Sequence, residues 1–205
     1  FTLALVMSHL ACADFGGAEM NARQKANFDA MRALLPPAPA SLANSAGTLL
    51  GPDYRYDLVR PGIALYGGRA VEGRPNPAAK VVRVEARILQ VREIAPGAVV
   101  GYGAMFTAER PTRIATIATG YADGFLRSIS GPVGKPSPPA YISGYRAPIA
   151  GRVSMDLVTL DVTDVPPALA QRGAWAELIG RHVQIDDLAD SYGTIGYEVL
   201  TRLGP

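Results

Sequence analysis

The segment Asp57-Leu-Val-Arg-Pro-Gly-Ile-Ala-Leu-Tyr66 is the most informative stretch of this chain. It places the guanidinium of Arg60 directly before a Pro-Gly turn, in which Gly62 and Ile63 offer backbone N–H groups. Backbone N–H groups at the start of a helical turn favour phosphate and other anions. The segment therefore indicates an anion site formed by Arg60, Gly62 and Ile63, although Arg60 could equally make an ordinary ion pair.

Upstream of that segment the pattern is α/β. We predict a strand over residues 2–7, a helix over residues 21–35 and a short strand over residues 41–44. Asn21 can cap the helix, and Pro36-Pro37 ends it. The apolar side chains expected near one helix face are Ala22, Phe28, Met31 and Leu35.

A loop or helical turn near residues 45–50 and a strand over residues 58–60 follow, and a turn or short helix comes next. The order strand, helix, strand favours parallel strands. Because a closed eightfold barrel needs roughly 200–250 residues, residues 1–79 could form only the last part of one.

The pattern changes after residues 69–80, which are rich in Pro and polar groups and are typical of a linker. From residue 81 apolar and polar side chains alternate, which predicts a half-buried strand. Further β-like runs cover residues 97–101, 112–119, 147–162 and 174–180, a loop covers 131–139, and short helical patterns cover 186–192 and 196–203. Residues 80–205 are therefore predicted to form a mostly β domain.

Composition excludes several classes of protein. The net charge is +2 with both signs dispersed and no basic run, so we do not expect nucleic acid as a partner. The apolar start, residues 1–7, lacks a charged flank and indicates a buried strand rather than a signal peptide or a membrane span, so no membrane is expected as a partner. The single cysteine, Cys12, rules out an intrachain disulfide and suits a cytoplasmic protein.

Two tyrosines lie in glycine-rich turns, Gly101-Tyr-Gly103 and Gly120-Tyr-Ala-Asp-Gly124. Glycine permits tight turns and the close approach of a ligand. A phenol at such a place can exchange a proton with a substrate. Tyr102 could instead be a surface residue of a hairpin, and Tyr121 could simply belong to a structural turn.

Three further candidates each have a structural alternative. His9, at the end of an apolar strand, could stack on an aromatic ring or be a partly buried histidine. Ser45 could bind phosphate or cap the following turn. Met155, in Gly151-Arg-Val-Ser-Met-Asp156, could be a core side chain or could bind a carboxylate through its backbone N–H. His182 is expected in a surface loop, and two histidines with one cysteine form no metal-binding pattern.

In their order and separations these motifs together resemble alanine racemase, a fold type III enzyme that depends on pyridoxal 5'-phosphate (PLP). The resemblance extends over nearly the whole chain. The matching segments are Ser8-His-Leu-Ala-Cys-Ala-Asp14, Ser41-Leu-Ala-Asn-Ser-Ala46, Asp57-Leu-Val-Arg-Pro-Gly-Ile-Ala-Leu-Tyr-Gly67, Val100-Gly-Tyr-Gly103, Gly120-Tyr-Ala-Asp-Gly-Phe125, Gly151-Arg-Val-Ser-Met-Asp156 and Gly193-Thr-Ile-Gly-Tyr-Glu-Val-Leu-Thr201.

The resemblance implies a cofactor site in the first part of the chain. Arg60 would face the pyridine nitrogen of PLP and, being always charged, would keep that nitrogen unprotonated. Ser45 and the backbone of Gly62 and Ile63 would hold the phosphate. His9 would lie against the ring and brace Arg60.

The resemblance also implies a substrate site in the second part. Tyr102 would be the acid or base on one face of the substrate Cα, Tyr121 would narrow the entrance, and the backbone at Met155 would receive the carboxylate. In the family, the barrel of one subunit meets the β domain of the other, so these residues would serve the partner's PLP. The implied protein is a cytoplasmic homodimer that interconverts L-alanine and D-alanine, supplying D-alanine for peptidoglycan.

In the family the second base is the lysine that forms the Schiff base with PLP. Lys25, Lys80 and Lys135, in the predicted helix, linker and loop, lack that context. We therefore expect a partial stretch of a longer enzyme, without the N-terminal part of the barrel and the extreme C-terminus, and inactive alone. A racemase of broader substrate range and a non-catalytic dimerisation or binding module are the alternatives.

Overall fold

The computed structural model describes residues 2–130 and 137–204. The chain divides into two compact units, Phe1–Ala79 and Lys80–Pro205. Most of the loop predicted over residues 131–139, including Lys135, lies outside the described residues, whereas residues 137–139 have no regular secondary structure.

The first unit begins with a strand, a helix and a second strand, as predicted. Strand β1 is Val6–Met7, helix α1 is Glu19–Arg32 and strand β2 is Ala40–Ser41. The strands pair in parallel, with Met7 opposite Ser41. Both are shorter than the predicted 2–7 and 41–44, and β2 begins one residue earlier.

Helix α1 differs from its prediction at both ends. It begins after Ala18, not at Asn21, and it ends at Arg32, before the two prolines. Asn21 does not cap the helix. It is buried in the first turn, where its Nδ2 donates to the carbonyls of Cys12 and Phe15 at 3.1 and 3.2 Å.

The predicted apolar face of α1 is wrong except at Phe28. Ala22, Met31 and Leu35 are exposed, whereas Phe28 is buried with its ring 5.2 Å from that of Tyr56, edge to face. The inward side of this helix carries polar and charged side chains, so apolar spacing alone could not identify it.

Residues 58–60 do not form the predicted strand. The N–H groups of Asp57 and Leu58 both donate to the carbonyl of Ala40, at 3.1 and 3.2 Å, and that of Arg60 donates to Ala43 at 2.9 Å. Because two donors share one carbonyl, the segment follows β2 without a regular ladder. The side chain of Asp57 instead accepts from the N–H of Ala40 at 2.8 Å.

Two turns around this segment are helical, as predicted. Helix α2 is Ser45–Leu50, and a 3₁₀ turn covers Ile63–Tyr66. Residues 69–80 have no regular secondary structure, yet Ala70 and Val71 are buried. The N–H of Glu72 donates to Asp14, so part of the predicted linker is packed on the first unit.

The second unit is mostly β, as predicted. Its strands are β3 (Val84–Ile94), β4 (Val99–Val100), β5 (Phe106–Thr107), β6 (Thr112–Ile117), β7 (Ala140–Ile142), β8 (Tyr145–Ala147), β9 (Val158–Asp161) and β10 (Trp175–Ile179). In the described part of the chain, six of them form one sheet in the order β8-β7-β10-β3-β6-β9, with every neighbouring pair antiparallel.

The alternation that predicted the first of these strands is confirmed, because Ala86 and Ile88 are buried and Arg87 and Leu89 are exposed. The β-like run predicted over residues 147–162 is wrong over most of its length. Val158–Asp161 is the one strand that lies entirely within this described segment. Gly151 has a φ of 85° there, which an extended strand does not tolerate.

Two helices close the second unit where they were expected, α3 (Ile185–Tyr192) and α4 (Gly196–Arg202). Leu188 and Val199 join the core formed by the sheet, in which Ile117 and Leu160 are fully buried. None of the helices seen in residues 2–130 and 137–204 has the length and apolar character needed to cross a membrane.

Candidate active site

Arg60 is fixed by two neutral oxygen atoms. Its Nη1 donates to Ser41 Oγ at 2.5 Å and its Nη2 donates to the carbonyl of Ser8 at 2.6 Å. Within residues 2–130 and 137–204, no carboxylate lies within ion-pair distance of this guanidinium. The ordinary ion pair considered for Arg60 is therefore wrong for the described chain, and the positive charge remains available to a ligand.

Ser45 joins the predicted anion site but does not cap α2. Asn44 is the cap, with its Oδ1 accepting from the N–H of Gly47 at 2.8 Å. The buried Oγ of Ser45 instead accepts from the N–H groups of Gly62 at 2.8 Å and Ala64 at 3.3 Å. The serine hydroxyl and the Pro-Gly turn are thus brought together, as predicted.

The two amides of this turn are used differently. The N–H of Gly62 is engaged by Ser45, whereas the N–H of Ile63 has no recorded acceptor in the described chain. A Cβ added at Gly62 would meet no atom within 4 Å, so open space lies beside the turn. A hydroxyl, a free amide and open space suit an anionic oxygen group.

His9 is exposed and does not brace Arg60, so that part of the prediction is wrong. Its Nε2 lies 3.3 Å from Asn44 Nδ2. Because an amide nitrogen can only donate, this hydrogen bond requires the His9 tautomer in which Nε2 accepts. The positions that brace Arg60 are those of Ser8 and Ser41.

Lys25 is part of a separate cluster on α1. Its Nζ is 2.9 Å from Asp29 Oδ2, and Tyr56 OH donates to Asp29 Oδ1 at 2.8 Å. The hydrogen bond from Lys25, and then that from Tyr56, lower the pKa of Asp29. Burial, and then the bond to Asp29, raise the pKa of Tyr56 to about 12. This lysine therefore has a structural role.

In the second unit, Tyr102 occupies the hairpin between β4 and β5 and is 70% exposed. The surface hairpin considered for it is confirmed as the local structure. Gly101 and Gly151 both have positive φ values, and a Cβ on Gly151 would lie 2.6 Å from the carbonyl of Val100. These glycines let the Tyr102 hairpin pack directly on the loop that carries Arg152.

An open cavity of about 420 Å³ adjoins that hairpin. Tyr102, Arg152 and Ser154 form part of its wall. The cross-strand row Gln90, Thr116 and Thr159 contributes polar side chains from β3, β6 and β9. The cavity therefore combines a phenol and a cation with hydrogen-bonding groups.

Tyr121 and Met155 belong to loops that pair through their backbones. The N–H of Tyr121 donates to Ser154 at 3.1 Å, and the N–H of Ala122 donates to Met155 at 3.0 Å. Met155 is 53% exposed, so the core methionine considered from the sequence is wrong. Within the described part of the chain, the N–H of Met155 has no acceptor.

Sequence reasoning missed Ser41, Asn44 and Arg152. All three lie within quoted motifs, and a search for hydrogen-bonding side chains beside each candidate could have raised them. His182 is exposed, as predicted, with its ring stacked on Tyr141 at 4.4 Å and its Nδ1 3.1 Å from Glu177. Among the described residues there is no group of three or more metal-binding side chains.

Family comparisons cover both units. Residues 1–70 match the family model "Alanine racemase, N-terminal domain", and residues 81–205 match "Alanine racemase, C-terminal domain". Alanine racemase of Methylobacterium sp. (strain 4-46) is 51% identical over 98% of this chain and 54% of its own length. Alanine racemase of Rhizobium meliloti (strain 1021) is 50% identical over 100% of this chain and 55% of its own length. The chain thus spans about half the length of these relatives.

Solved structures agree. Alanine racemase from Bartonella henselae, with covalently bound pyridoxal phosphate, superposes with a TM-score of 0.85 at 41% identity, covering 99% of this chain and 55% of that one. Alanine racemase from Clostridium difficile 630, in complex with cycloserine, superposes with a TM-score of 0.85 at 28% identity. That match covers 99% of this chain and 54% of the other. The predicted fold class is confirmed: a C-terminal part of a (β/α)₈ barrel is followed by a mostly β domain. The chain belongs to the alanine racemase family.

Proposed function

We propose that this chain is part of a PLP-dependent racemase that interconverts L-alanine and D-alanine. The carrying observation is the Arg60 guanidinium held by two neutral oxygens, in the same unit as the Ser45–Gly62 turn. A cation without a carboxylate partner suits a pyridine nitrogen, and a hydroxyl beside a free amide suits a phosphate. The high identity to proteins named alanine racemase supports this assignment.

Each residue of the first unit has a distinct task in this proposal. Arg60 presents positive charge to the ring nitrogen and keeps it unprotonated. Ser45 and the turn at Gly62 and Ile63 hold the phosphate, and His9 lies against the ring. When bound, PLP supplies an electron sink that makes the Cα proton of an amino acid removable.

The second unit contributes the substrate side. Tyr102 exchanges a proton with one face of Cα, the N–H of Met155 binds the substrate carboxylate, and Tyr121 narrows the entrance. A second base on the opposite face is needed, because inversion requires a proton to leave one face and return on the other. Neither described lysine, Lys25 in its ion pair with Asp29 or Lys80 in the segment 69–80, has the context of the family's Schiff-base lysine. Residues 1–205 alone are therefore expected to be inactive.

We further infer that two copies form each site. The barrel side, residues 1–79, holds the cofactor of its own subunit, and the β side, residues 80–205, reaches the cofactor of the partner. The product D-alanine is used in peptidoglycan, and we place the enzyme in the cytoplasm. The family resemblance supports these points.

The test uses the protein in the full length that its gene encodes. It is purified, titrated with PLP and monitored by absorbance, and exchange of the Cα proton of each alanine enantiomer is followed in D₂O. We expect a coloured protein that exchanges and inverts both enantiomers. A folded protein that stays colourless with added PLP and inverts neither would favour the non-catalytic module instead.

A further inference from the structure

We propose that Ser41 is the positioning residue that holds the guanidinium of Arg60 in the direction of the PLP ring nitrogen. This inference rests on the proposed function. Ser41 is completely buried at the end of β2, and its hydroxyl is one of the two acceptors of the Arg60 guanidinium.

The direction of the Ser41 hydrogen bonds is fixed. Its Oγ donates to the carbonyl of Leu58 at 2.7 Å, so the hydroxyl proton is committed. The oxygen can then only accept, and it accepts from Nη1 of Arg60. A guanidinium has donors and no acceptor, so this arrangement cannot reverse.

Ser41 also closes a small ring of contacts within the segment that carries Arg60. Leu58 and Arg60 are two residues apart, and the serine hydroxyl bridges the carbonyl of the first to the side-chain tip of the second. The tip of the arginine side chain is thereby tied to the backbone two residues before it. A long, flexible side chain that loses its rotamer freedom in advance loses less when a ligand binds.

The second acceptor comes from the neighbouring strand. The carbonyl of Ser8, directly after β1, accepts from Nη2, while Ser41 accepts from Nη1. The parallel strands β1 and β2 place Met7 opposite Ser41 and so bring the two acceptors together. Two contacts on different nitrogens fix the plane of the guanidinium, which one contact would leave free to swing.

Both acceptors are neutral, which matters for the charge of the site. A carboxylate at either place would hold Arg60 equally well but would cancel its charge. A buried hydroxyl holds the group and leaves its charge for the ligand. Removing that hydroxyl should therefore change the protonation of the ligand's ring nitrogen, and not only the stability of the fold.

The test compares Ser41→Ala and Ser41→Cys with the wild-type protein at the full length that the gene encodes. The cysteine variant keeps the size of the side chain, but its thiol is a weak acceptor. We expect both variants to raise the Kd for PLP about tenfold. Ser191→Ala, which removes a helix-surface hydroxyl that donates to Asp187, should leave the Kd unchanged.

Absorbance spectra of bound PLP, recorded against pH, give the readout that a merely structural role would not move. With Arg60 fixed, we expect the wild-type spectrum to be independent of pH near neutrality, and both Ser41 variants to show a band that titrates as the ring nitrogen takes up a proton. Urea unfolding identifies any variant that fails to fold.

The outcomes distinguish failure of the proposed function from failure of the positioning role of Ser41. A wild-type protein that binds no PLP contradicts the proposed function itself. If the wild type binds PLP and a folded Ser41→Cys variant matches it in Kd and in spectrum, Ser41 does not position Arg60. Should Ser41→Ala fail to fold, the cysteine variant alone decides.

Discussion

At the scale of single residues, Tyr102 is the side chain whose surroundings matter most. It is 70% exposed and borders an open cavity with Arg152 and Ser154. A general acid or base must come within hydrogen-bond reach of the proton it moves. An exposed phenol on a hairpin tip therefore acts only when a bound ligand, or another protein surface, covers it.

Replacing Tyr102 with Phe should slow proton transfer on one face of the substrate. We expect Cα proton exchange of one enantiomer to fall by about 10²–10⁴-fold, the range for loss of a general acid–base group. Inversion should fall equally in both directions, because it needs both bases and the two enantiomers have equal free energy. The measurement is the rate of Cα deuterium exchange, starting from each enantiomer separately. Tyr145→Phe, another exposed tyrosine of the second unit, should change neither rate. Equal, unchanged rates in Tyr102→Phe would remove the proposed role.

The anion site was predictable where its members are neighbours in sequence. Arg60, Gly62 and Ile63 lie within four residues, so any local structure keeps them close. Ser41 was not predictable, because its task depends on a segment that returns 17 to 19 residues later. A serine at the end of a strand shows no spacing pattern that indicates such a contact. For the same reason the support of Arg60 was assigned to His9, whereas Ser41 provides it.

At the scale of elements, four glycines bring loop backbones of the second unit into contact. A Cβ on Gly101 would lie 3.1 Å from Arg152 N, and one on Gly151 would lie 2.6 Å from Val100 O. The corresponding distances are 2.1 Å for Gly120 to Met155 O and 2.1 Å for Gly124 to Arg202 O. The loops carrying Tyr102, Met155 and Tyr121 are therefore packed in series.

Gly120→Ala should separate two of these loops. The added methyl would overlap the carbonyl of Met155, so the hydrogen bond from Tyr121 to Ser154 must lengthen. We expect a loss of about 1–3 kcal/mol in the free energy of unfolding, the usual cost of overpacking. Urea denaturation measures it. Gly17→Ala, where the methyl would meet nothing within 4 Å, is the control, and equal stability of the two variants would contradict the packing argument.

The cluster of Lys25, Asp29 and Tyr56 makes the free energy of unfolding depend on pH. The pKa of Asp29 is lowered in the folded state, chiefly by its hydrogen bond with Lys25. A lowered folded pKa stabilises the protein above the ordinary carboxyl pKa near 4, and that contribution is lost as the pH falls through the folded value. Asp29→Asn should therefore reduce stability at pH 7 and flatten its decline below pH 4.

Unfolding in urea at a series of pH values checks this expectation. The carboxylate is partly exposed and screened, so the effect should stay within about 1 kcal/mol. Asp53→Asn, which removes an exposed carboxylate from a short helix, is the charge-matched control. An Asp29→Asn protein whose acid profile overlays that of the wild type would contradict the assigned role.

Elements with a clear period were predicted, and irregular ones were not. The alternating strand from Val84 and the closing helices follow hydrophobic periods that the sequence displays. The segment 58–60 has strand-like composition, but it shares one carbonyl of Ala40 between two donors. The β7–β8 hairpin was missed because its strands are three residues each, too short for a period to show.

At the scale of the whole molecule, the sequence changes character where the chain divides. The α/β pattern gives way to alternation from residue 81, beside the division between Ala79 and Lys80. The sequence carries no comparable signal for the way two copies associate, because a symmetric interface uses the same surface twice and has no hydrophobic period of its own. The proposed shared site must therefore be tested with mixed subunits.

Mixed dimers distinguish shared from separate sites. Under the proposed roles, Arg60→Ala would disable the cofactor side of a subunit, and Tyr102→Phe would disable the substrate side. If one site draws on both subunits, a dimer of the two variants contains one intact site and one doubly disabled site. Unfolding and refolding the variants together should restore about a quarter of the wild-type activity, since about half of the dimers are mixed and each has one working site.

Each variant refolded alone is the control and should stay at its own low activity. Activity of the mixture that equals the average of the two controls would mean that each site is built within one subunit. Size-exclusion chromatography verifies that the mixture has reassembled.

The four glycine contacts also limit how the loops beside the Tyr102 cavity can be redesigned. A longer loop or a grafted loop in any one of these places would collide with the main chain of the next, and the disturbance would pass along the series. The side chains of Gln90 and Thr116 on the cavity wall stand on strands. Thr159 also holds the loop before Gly151, because its Oγ1 donates to the carbonyl of Ala150 at 2.5 Å. Under the proposed function, libraries that aim at bulkier amino acids should therefore vary Gln90 and Thr116 and keep Thr159 and every loop length constant.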